Sequence, residues 1–218
     1  LLRAISHDIR TPLTSIVGSA SGILENQKVL TQEREMELVQ DIKDEAQWLI
    51  RIVENLLSVT RINGENARIN TEDEVVEEII SSAVIKFSKR FPEASVEVKM
   101  PEEFLMVAMD GVLIEQVLVN LLENAVLHGK TYTKICIIVT HTPGRVEIDV
   151  EDDGQGIKES VLPVMFEGKL SSADGEEYDS KRNMGIGLSV CMTIVRAHEG
   201  IMKAENRKEG GARVMFWL

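Results

Sequence analysis

The hydrophobic periodicity of this chain changes once, near residue 64, and this change constrains the fold more than any other feature. Before it, apolar residues recur only at the three- and four-residue steps of amphipathic helices, with no strand-like alternation. After it, helical and strand-like patterns follow one another. We therefore predict a helical domain over residues 1–64 and a mixed domain over residues 67–218.

The helical domain is predicted to contain two long amphipathic helices. The apolar stripe of the first helix consists of Leu2, Ile5, Ile9, Leu13, Ile16, Ala20 and Ile23. After a break at residues 26–28, the second helix carries a heptad seam of Leu38, Ile42, Leu49, Ile52, Leu56 and Val59. Because one hairpin cannot bury both seams well, we expect two copies to pair into a four-helix homodimer.

The second domain alternates helices and strands along the chain. Helical patterns are predicted over residues 73–91, 110–128 and 187–198. Strands are predicted over residues 95–100, 105–109, 134–140, 145–152, 201–206 and 212–218. This order predicts an α+β sandwich with helices on one face of a sheet.

Composition narrows the classes of partner. The formal charge of −12 argues against a direct nucleic-acid partner, since phosphate backbones require clustered Lys and Arg. No apolar run has the length of a membrane span, so we expect no membrane contact in this fragment. The chain starts inside a helical pattern, and we expect it to be excised from a longer protein. Cys136 and Cys191 lie in apolar contexts, which favours buried thiols in a reducing compartment.

His7 lies off the apolar stripe of the first helix, so its imidazole is predicted to face solvent. An exposed imidazole is a usable nucleophile at neutral pH, and the neighbouring Asp8 could take its proton. The alternative is that His7 and Asp8 simply belong to a solvated helix face without chemistry.

Besides His7, three segments of the second domain contain candidate site residues. Asn120 and Asn124 are four residues apart, which places both carboxamides on one helix face. Residues 152–156 (Asp-Asp-Gly-Gln-Gly) follow a strand pattern, and residues 185–188 (Gly-Ile-Gly-Leu) open an apolar helix. Each segment alone could be a polar helix face, a turn or a hinge. Their order and spacing in one chain argue against coincidence.

With these motifs and Phe166 in sequence order, nearly the whole chain resembles the cytoplasmic catalytic core of bacterial sensor histidine kinases. Residues 6–16, 113–120 and 204–212 are most similar to the potassium-responsive KdpD type of this family. The resemblance implies a histidine-kinase, gyrase and Hsp90 type of ATP-binding fold in the second domain. It also implies a cytoplasmic location, as part of a sensor protein anchored in the inner membrane.

The activity implied by the resemblance is ATP-dependent autophosphorylation of His7, with Asp8 as general base. The phosphoryl group would then pass to an aspartate in the receiver domain of a response regulator. Thr11, one helical turn after His7, could orient a water for dephosphorylation of the regulator. The alternative is that Thr11 is an ordinary surface residue before Pro12.

The resemblance also implies ATP and Mg²⁺ as cofactors, in a site without the P-loop pattern, which is absent from the sequence. Asn124 would coordinate Mg²⁺ with assistance from Asn120, and carboxamide oxygens suit this ion. Asp152 would accept a hydrogen bond from the adenine amino group. Asn120 also stands where ATP-hydrolysing relatives carry a Glu that activates water, so transfer is favoured over hydrolysis.

Glycines are expected to complete the nucleotide site. Gly154 and Gly156 would let the backbone approach the nucleotide closely. Gly185 and Gly187, followed by Leu188, would bring free amides at a helix start toward the phosphates.

A long polar segment, residues 167–184, is expected to act as a lid or to be disordered. Its candidate contacts to the γ-phosphate are Lys169, Lys181 and Arg182, with plain solvated charges as the alternative.

The sequence departs from the family at two positions. Leu127 stands where a basic residue is common, and Gly168 where a bulky residue would anchor the lid. His128 could pack near the phosphates and Lys130 could supply the missing charge. The rival interpretation is a dimeric ATP-binding scaffold or interaction module whose kinase activity was lost with the basic residue.

Overall fold

The computed structural model describes residues 2–63, 69–128, 134–166 and 184–218 of the 218-residue chain. For residues 2–8, 59, 63, 128 and 184–186 it describes the backbone. The chain divides into two compact units, Leu1–Leu57 and Ser58–Leu218.

The first part of the chain is a pair of long helices, as predicted. Helix α1 (Leu2–Asn26) runs through Pro12, and helix α2 (Gln32–Asn63) follows a short turn. The Asn26 carbonyl accepts hydrogen bonds from the amides of Val29 and Leu30 in this turn. Thr31 precedes α2, and its hydroxyl oxygen accepts a hydrogen bond from the Arg34 amide at 3.3 Å, which satisfies an amide of the first turn.

The apolar side chains that stay exposed on these helices differ from the predicted seam. In the single chain, Ile52 is buried and Leu38, Ile42, Leu49 and Leu56 are half-buried. A second stripe at three- and four-residue spacing is exposed on α2, and it contains Met36, Val39, Ile50, Val53 and Leu57. Among the residues of α1 whose side chains the structure describes, the large exposed apolar ones are Leu13, Val17 and Leu24. The predicted seam is therefore partly covered within the single chain, and a separate apolar stripe of α2 is exposed.

The second part of the chain is an α+β sandwich, as predicted. Its helices are α3 (Val76–Arg90), α4 (Gly111–His128) and α5 (Met184–Ala197). Its strands are β1 (Glu72–Val75), β2 (Ser95–Lys99), β3 (Met106–Met109), β4 (Lys134–Thr142), β5 (Arg145–Asp152), β6 (Ile201–Asn206) and β7 (Ala212–Trp217).

The strands form two sheets. The larger sheet has the order β2-β4-β5-β7-β6, with β2 and β4 parallel and the other pairs antiparallel. The smaller sheet pairs β1 with β3 in antiparallel register. The order of the larger sheet brings β7 beside β5, so the end of β5 lies next to the start of β7.

One hydrophobic core lies between the helices and a single face of the large sheet. Alternate residues of β4 and β5, such as Ile137 and Ile148, point into it. Leu118 of α4 and Ile194 of α5, both fully buried, meet them there. Period-2 alternation in the strands and 3.6-residue periodicity in the helices therefore supply the same core.

Charged pairs connect α3 to α4 at the edge of this core. The Glu123 side chain is 5% exposed, and its carboxylate binds the Arg90 guanidinium at 2.6 Å. A second ion pair joins Lys86 of α3 to Glu115 of α4. A buried carboxylate needs such a partner, so these pairs fix α4 against α3.

Two element boundaries differ from the prediction by three residues, and several others differ by one or two. The predicted helix over residues 73–91 begins at Val76, because residues 72–75 form the short strand β1. Three of these four residues are acidic, so they show no apolar alternation that would indicate a strand. Helix α5 begins at Met184, three residues before the predicted start.

Candidate functional site

A cavity lies beside α4 and α5, over the ends of β5 and β7. Four of the predicted site residues line it, namely Asn124, Asp152, Gly156 and Leu188. Its other lining residues are Leu121, Ala125, Val150, Ile157, Met165, Ala212 and Val214. A mostly apolar cavity with a few polar groups is the usual form of a small-molecule binding site.

Asp152 is the last residue of β5 and presents its carboxylate to the cavity. Its Oδ1 accepts hydrogen bonds from the amides of Gly154 at 2.8 Å and Ala212 at 3.2 Å. Among the described residues, no hydrogen bond reaches Oδ2, so this oxygen is left to accept one from a ligand. Burial raises the pKa of the Asp152 carboxyl, while the two amide hydrogen bonds oppose that shift.

Asn124 lies on α4 and reaches the cavity from the other side. Its Nδ2 is buried and has no hydrogen-bond partner within the described ranges. Because buried polar atoms in native structures are normally paired, this Nδ2 is a candidate donor to a molecule bound in the cavity.

Asn120 lies one turn earlier on α4 but is not among the residues that line the cavity. It is buried, and its Oδ1 accepts a hydrogen bond from Gln116 at 3.3 Å. Burial raises the pKa of the Cys191 thiol to about 12, and a hydrogen bond with Asn120 acts against this shift. The two asparagines thus share a helix face, but only Asn124 opens onto the cavity.

The loop after β5 needs glycine at one of its predicted positions. Gly156 has φ +76°, a left-handed conformation that glycine adopts without strain. A Cβ atom there would also lie 2.9 Å from Oδ1 of Asn206. Gly154 contributes its amide to Asp152, as described above.

Gly185 and Gly187 lie inside the first turn of α5, not ahead of it. Amides of a first helical turn have no partner within the helix, so they remain available to an anion. Leu188, the next residue, is buried and lines the cavity. Phe166 is half-buried and packs against the core at the end of the described segment 134–166.

Several predicted positions lie outside the described residues. They are Lys130, Gly168, Lys169, Lys181 and Arg182, together with the side chain of His128. In the first unit, His7 and Asp8 belong to the first turns of α1, and their side chains also lie outside the description. Thr11 is exposed one turn later on the same helix.

Sequence reasoning missed several cavity residues, including Met165, Ala212 and Val214. Val214 pairs with Val150 in the sheet, so both point to the same face. The alternation of residues 212–218 indicates which side chains share a face of the sheet. The sequence does not show that β7 lies beside β5.

Two features are absent from the part of the chain that the structure describes. Within the described part of the chain, no helix has both the length and the apolar character needed to cross a membrane. The same residues include no cluster of three or more His, Cys, Asp or Glu side chains placed to hold a metal ion.

Comparison with known families assigns both parts of the chain. Residues 1–65 match the family described as His Kinase A (phospho-acceptor) domain. Residues 109–218 match the family described as Histidine kinase-, DNA gyrase B-, and HSP90-like ATPase. The second match implies that the α+β unit binds ATP.

Curated relatives cover almost the whole chain. Sensor protein KdpD of Clostridium acetobutylicum is 43% identical over 99% of this chain and 24% of its own length. Sensor protein KdpD of Escherichia coli is 32% identical over 97% of this chain and 23% of its own length. The chain therefore spans about a quarter of the length of these relatives.

Solved structures share the fold. Histidine kinase ThkA, in complex with response regulator protein TrrA, aligns with a TM-score of 0.74 and 23% identity over 100% of this chain and 60% of that chain. Acinetobacter baumannii histidine kinase AdeS aligns with a TM-score of 0.66 and 22% identity over 97% of this chain and 95% of that chain. From these matches, the chain belongs to the sensor histidine kinases, as a core of the KdpD type that joins a phosphoacceptor domain to an ATP-binding domain.

Proposed function

We propose that this chain phosphorylates His7 with ATP and passes the phosphoryl group to an aspartate of a response regulator. The observation that carries the proposal is Asp152, whose Oδ1 is held by two amides while Oδ2 is left for a ligand in an apolar cavity. The same chain carries His7 on a phosphoacceptor helix. We assign the phosphoacceptor domain to residues 1–64 and the catalytic domain to residues 67–218.

The adenine base would occupy the apolar cavity. Its amino group would donate to Asp152, which distinguishes adenine from guanine because guanine has an acceptor at that position. Gly154 and Gly156 would let the backbone pass beside the base. The first-turn amides of α5, at Gly185 and Gly187, would bind phosphate oxygens.

Mg²⁺ fits this site through Asn124. Asn124 lines the cavity, and its carboxamide oxygen is a ligand type that Mg²⁺ accepts. The ion keeps several waters and would neutralise charge on the phosphates, so one protein ligand is sufficient. Asn120, one turn earlier on the same helix, would assist, and its Oδ1 also accepts a hydrogen bond from Gln116.

In the transfer step, an imidazole nitrogen of His7 forms a bond to the γ-phosphorus while the bond to the β–γ bridging oxygen breaks. ADP leaves, and Asp8 accepts the imidazole proton. Positioning and charge neutralisation supply most of the rate in such transfers. From phospho-His7 the group would pass to the regulator aspartate, and Thr11 would orient water when the regulator is dephosphorylated.

The partners follow from the same proposal. A homodimer would bury the exposed stripe of α2, which contains Val39, Val53 and Leu57. The receiver domain of a response regulator would dock near α1, and the similar kinase ThkA has been solved in complex with such a protein. We assign the chain to the cytoplasmic side of an inner-membrane sensor, in keeping with its relatives named sensor proteins.

The test is to incubate the chain with γ-labelled ATP and Mg²⁺ and to treat the product with acid or base. Phosphohistidine is labile in acid and stable in base, so a label with these properties supports the proposal. A label that survives acid would place the phosphoryl group on another residue type. Bound ATP without any label would favour the ATP-binding scaffold.

A further inference from the structure

Asn206, the last residue of β6, holds the backbone of the loop that follows β5. Its Oδ1 accepts a hydrogen bond from the amide of Ile157, and its Nδ2 donates to the carbonyl of Ile157, both at 2.7 Å. One carboxamide thus satisfies both backbone polar groups of one residue, as a neighbouring strand would. The loop is therefore fastened at Ile157, which lines the cavity.

The contact extends to the glycine before Ile157. A Cβ atom on Gly156 would lie 2.9 Å from Oδ1 and 3.4 Å from Cγ of Asn206. The Asn206 side chain therefore packs against the backbone of both Gly156 and Ile157. These two residues form the part of the cavity wall that the adenine base would approach.

The residue after Asn206 holds the other end of the same loop. Arg207 Nη1 donates a hydrogen bond to the Asp152 carbonyl at 2.8 Å, and its Nε lies 3.3 Å from the Glu151 carboxylate. The turn between β6 and β7 thus binds the loop at Asp152 and again at Ile157. No residue of this turn was predicted as part of the site.

We infer that Asn206 is a positioning residue for nucleotide binding. It fixes the Gly156–Ile157 backbone against which the base packs, and it acts through that backbone. The inference rests on the proposed function in one respect, that the nucleotide occupies this cavity. Asn206 itself is exposed, so its loss removes the loop anchor without opening the core.

The experiment compares Asn206→Leu and Asn206→Asp with the parent chain. Leucine has the same branched shape as Asn and removes both hydrogen bonds, whereas aspartate keeps an acceptor and loses the donor to Ile157. Lys208→Leu is the control, because Lys208 is an exposed residue of the same turn. For each protein, ADP affinity is measured by calorimetry, labelling by ATP gives KM and kcat, and a thermal melt checks folding.

For Asn206→Leu we expect the Kd for ADP and the KM for ATP to rise about tenfold, since each lost hydrogen bond contributes modestly. The kcat should stay within about threefold of the parent, because saturating ATP restores the same reacting complex. Asn206→Asp should weaken ADP binding at least as much, since its carboxylate faces the Ile157 carbonyl. Lys208→Leu should leave every value unchanged.

A purely structural role predicts a different pattern. It would lower the melting temperature and the active fraction, and therefore the apparent kcat, while Kd and KM stayed at the parent values. That pattern, or a Kd within about twofold of the parent in both Asn206 variants, would overturn the inference. If Asn206→Leu does not fold, Asn206→Asp decides alone. A parent that binds ADP but is never labelled would refute the proposed kinase activity, and the ADP affinities would still decide the role of Asn206.

Discussion

Asp152 makes the most specific proposed contact to the nucleotide, and its ionised carboxyl also lowers the stability of the fold. Burial raises the pKa of its carboxyl, so the ionised form is less stable in the folded protein than in water. Two backbone amides hold Oδ1 and offset part of this effect. The protein therefore keeps a half-buried carboxylate that costs stability at neutral pH, which is typical of a binding group.

Replacing Asp152 with Asn should separate binding from stability. The variant should lose at least about tenfold in ATP affinity, because a charged acceptor of the adenine amino group is removed. The parent loses stability as its Asp152 ionises in the fold, and the variant does not. The unfolding free energy of the variant minus that of the parent should therefore increase as pH rises from 3.8, the ordinary pKa of Asp, through the raised pKa of Asp152 in the folded protein. Calorimetry with ATP and urea unfolding between pH 4 and pH 8 check both parts. Unchanged ATP affinity would count against the whole site.

Asp8 is proposed to act on the proton that must leave His7. Asp8→Asn should slow autophosphorylation by about a hundredfold, the usual contribution of a general base, with ATP affinity unchanged. Glu25→Gln, a similar change on the exposed part of the same helix, serves as the control. Initial rates of labelling at saturating ATP measure the effect. A rate for Asp8→Asn within about threefold of the parent would sink this role.

At the level of elements, the turn between β6 and β7 is fitted closely onto the end of β5. Gly211 has φ +84°, and a Cβ atom there would lie 2.0 Å from the Asp152 carbonyl oxygen. Gly210 beside it also has a positive φ, +99°, but a Cβ atom there would meet nothing within 4 Å. Both glycines therefore have a positive φ that other residues rarely adopt, but only Gly211 lies against the backbone of Asp152.

Gly211→Ala should therefore destabilise the fold more than Gly210→Ala. Both variants carry the cost of a positive φ for alanine, about 1–2 kcal/mol. Only Gly211→Ala forces strand β7 away from Asp152, and overpacking of this kind costs a further 1–3 kcal/mol or so. Urea unfolding of the two variants measures the difference. Equal losses would mean that the turn can shift without disturbing β5.

Most elements of the second unit were predictable because their periodicity is local. Strands β5 and β6 begin and end at the predicted residues, since both alternate clearly and are followed by polar or glycine-rich turns. Strand β1 was missed because its stability comes from pairing with β3, more than thirty residues away, and not from its own acidic sequence.

The candidate site also has residues that the sequence predicted and residues that it did not. Asn124, Asp152, Gly156 and Leu188 were predicted from their motifs and line one cavity. Asn206 was not predicted, because its contact with Ile157 depends on β7 lying between β6 and β5 in the sheet. A sequence shows which residues form β6 and β5, but it does not show how these strands are ordered.

At the scale of the whole molecule, the proposed phosphoryl acceptor and the cavity belong to different compact units. His7 lies in Leu1–Leu57, and every residue that lines the cavity lies in Ser58–Leu218. Binding of ATP and acceptance of the phosphoryl group should therefore be separable by mutation. The exposed apolar stripe of α2 is the surface that the proposed homodimer would bury.

Val53→Glu should weaken the proposed dimer. Val53 is 49% exposed in the single chain, and in a four-helix dimer a carboxylate at this position would be buried without a partner. We expect the dimer dissociation constant to rise at least about tenfold. Gln47→Glu adds the same charge at another exposed position of α2 and should have little effect. Light scattering over a concentration series tests this, and a parent chain that is monomeric at micromolar concentration would exclude the dimer.

The most direct test of the central claim is a pair of measurements on His7→Gln. We predict that γ-labelled ATP no longer labels the variant, because the nucleophile is gone. The affinity for a non-hydrolysable ATP analogue should stay within about twofold of the parent, because the cavity lies in the other unit. A variant that still acquires an acid-labile label would show that the phosphoryl acceptor is a residue other than His7, and this would contradict the account.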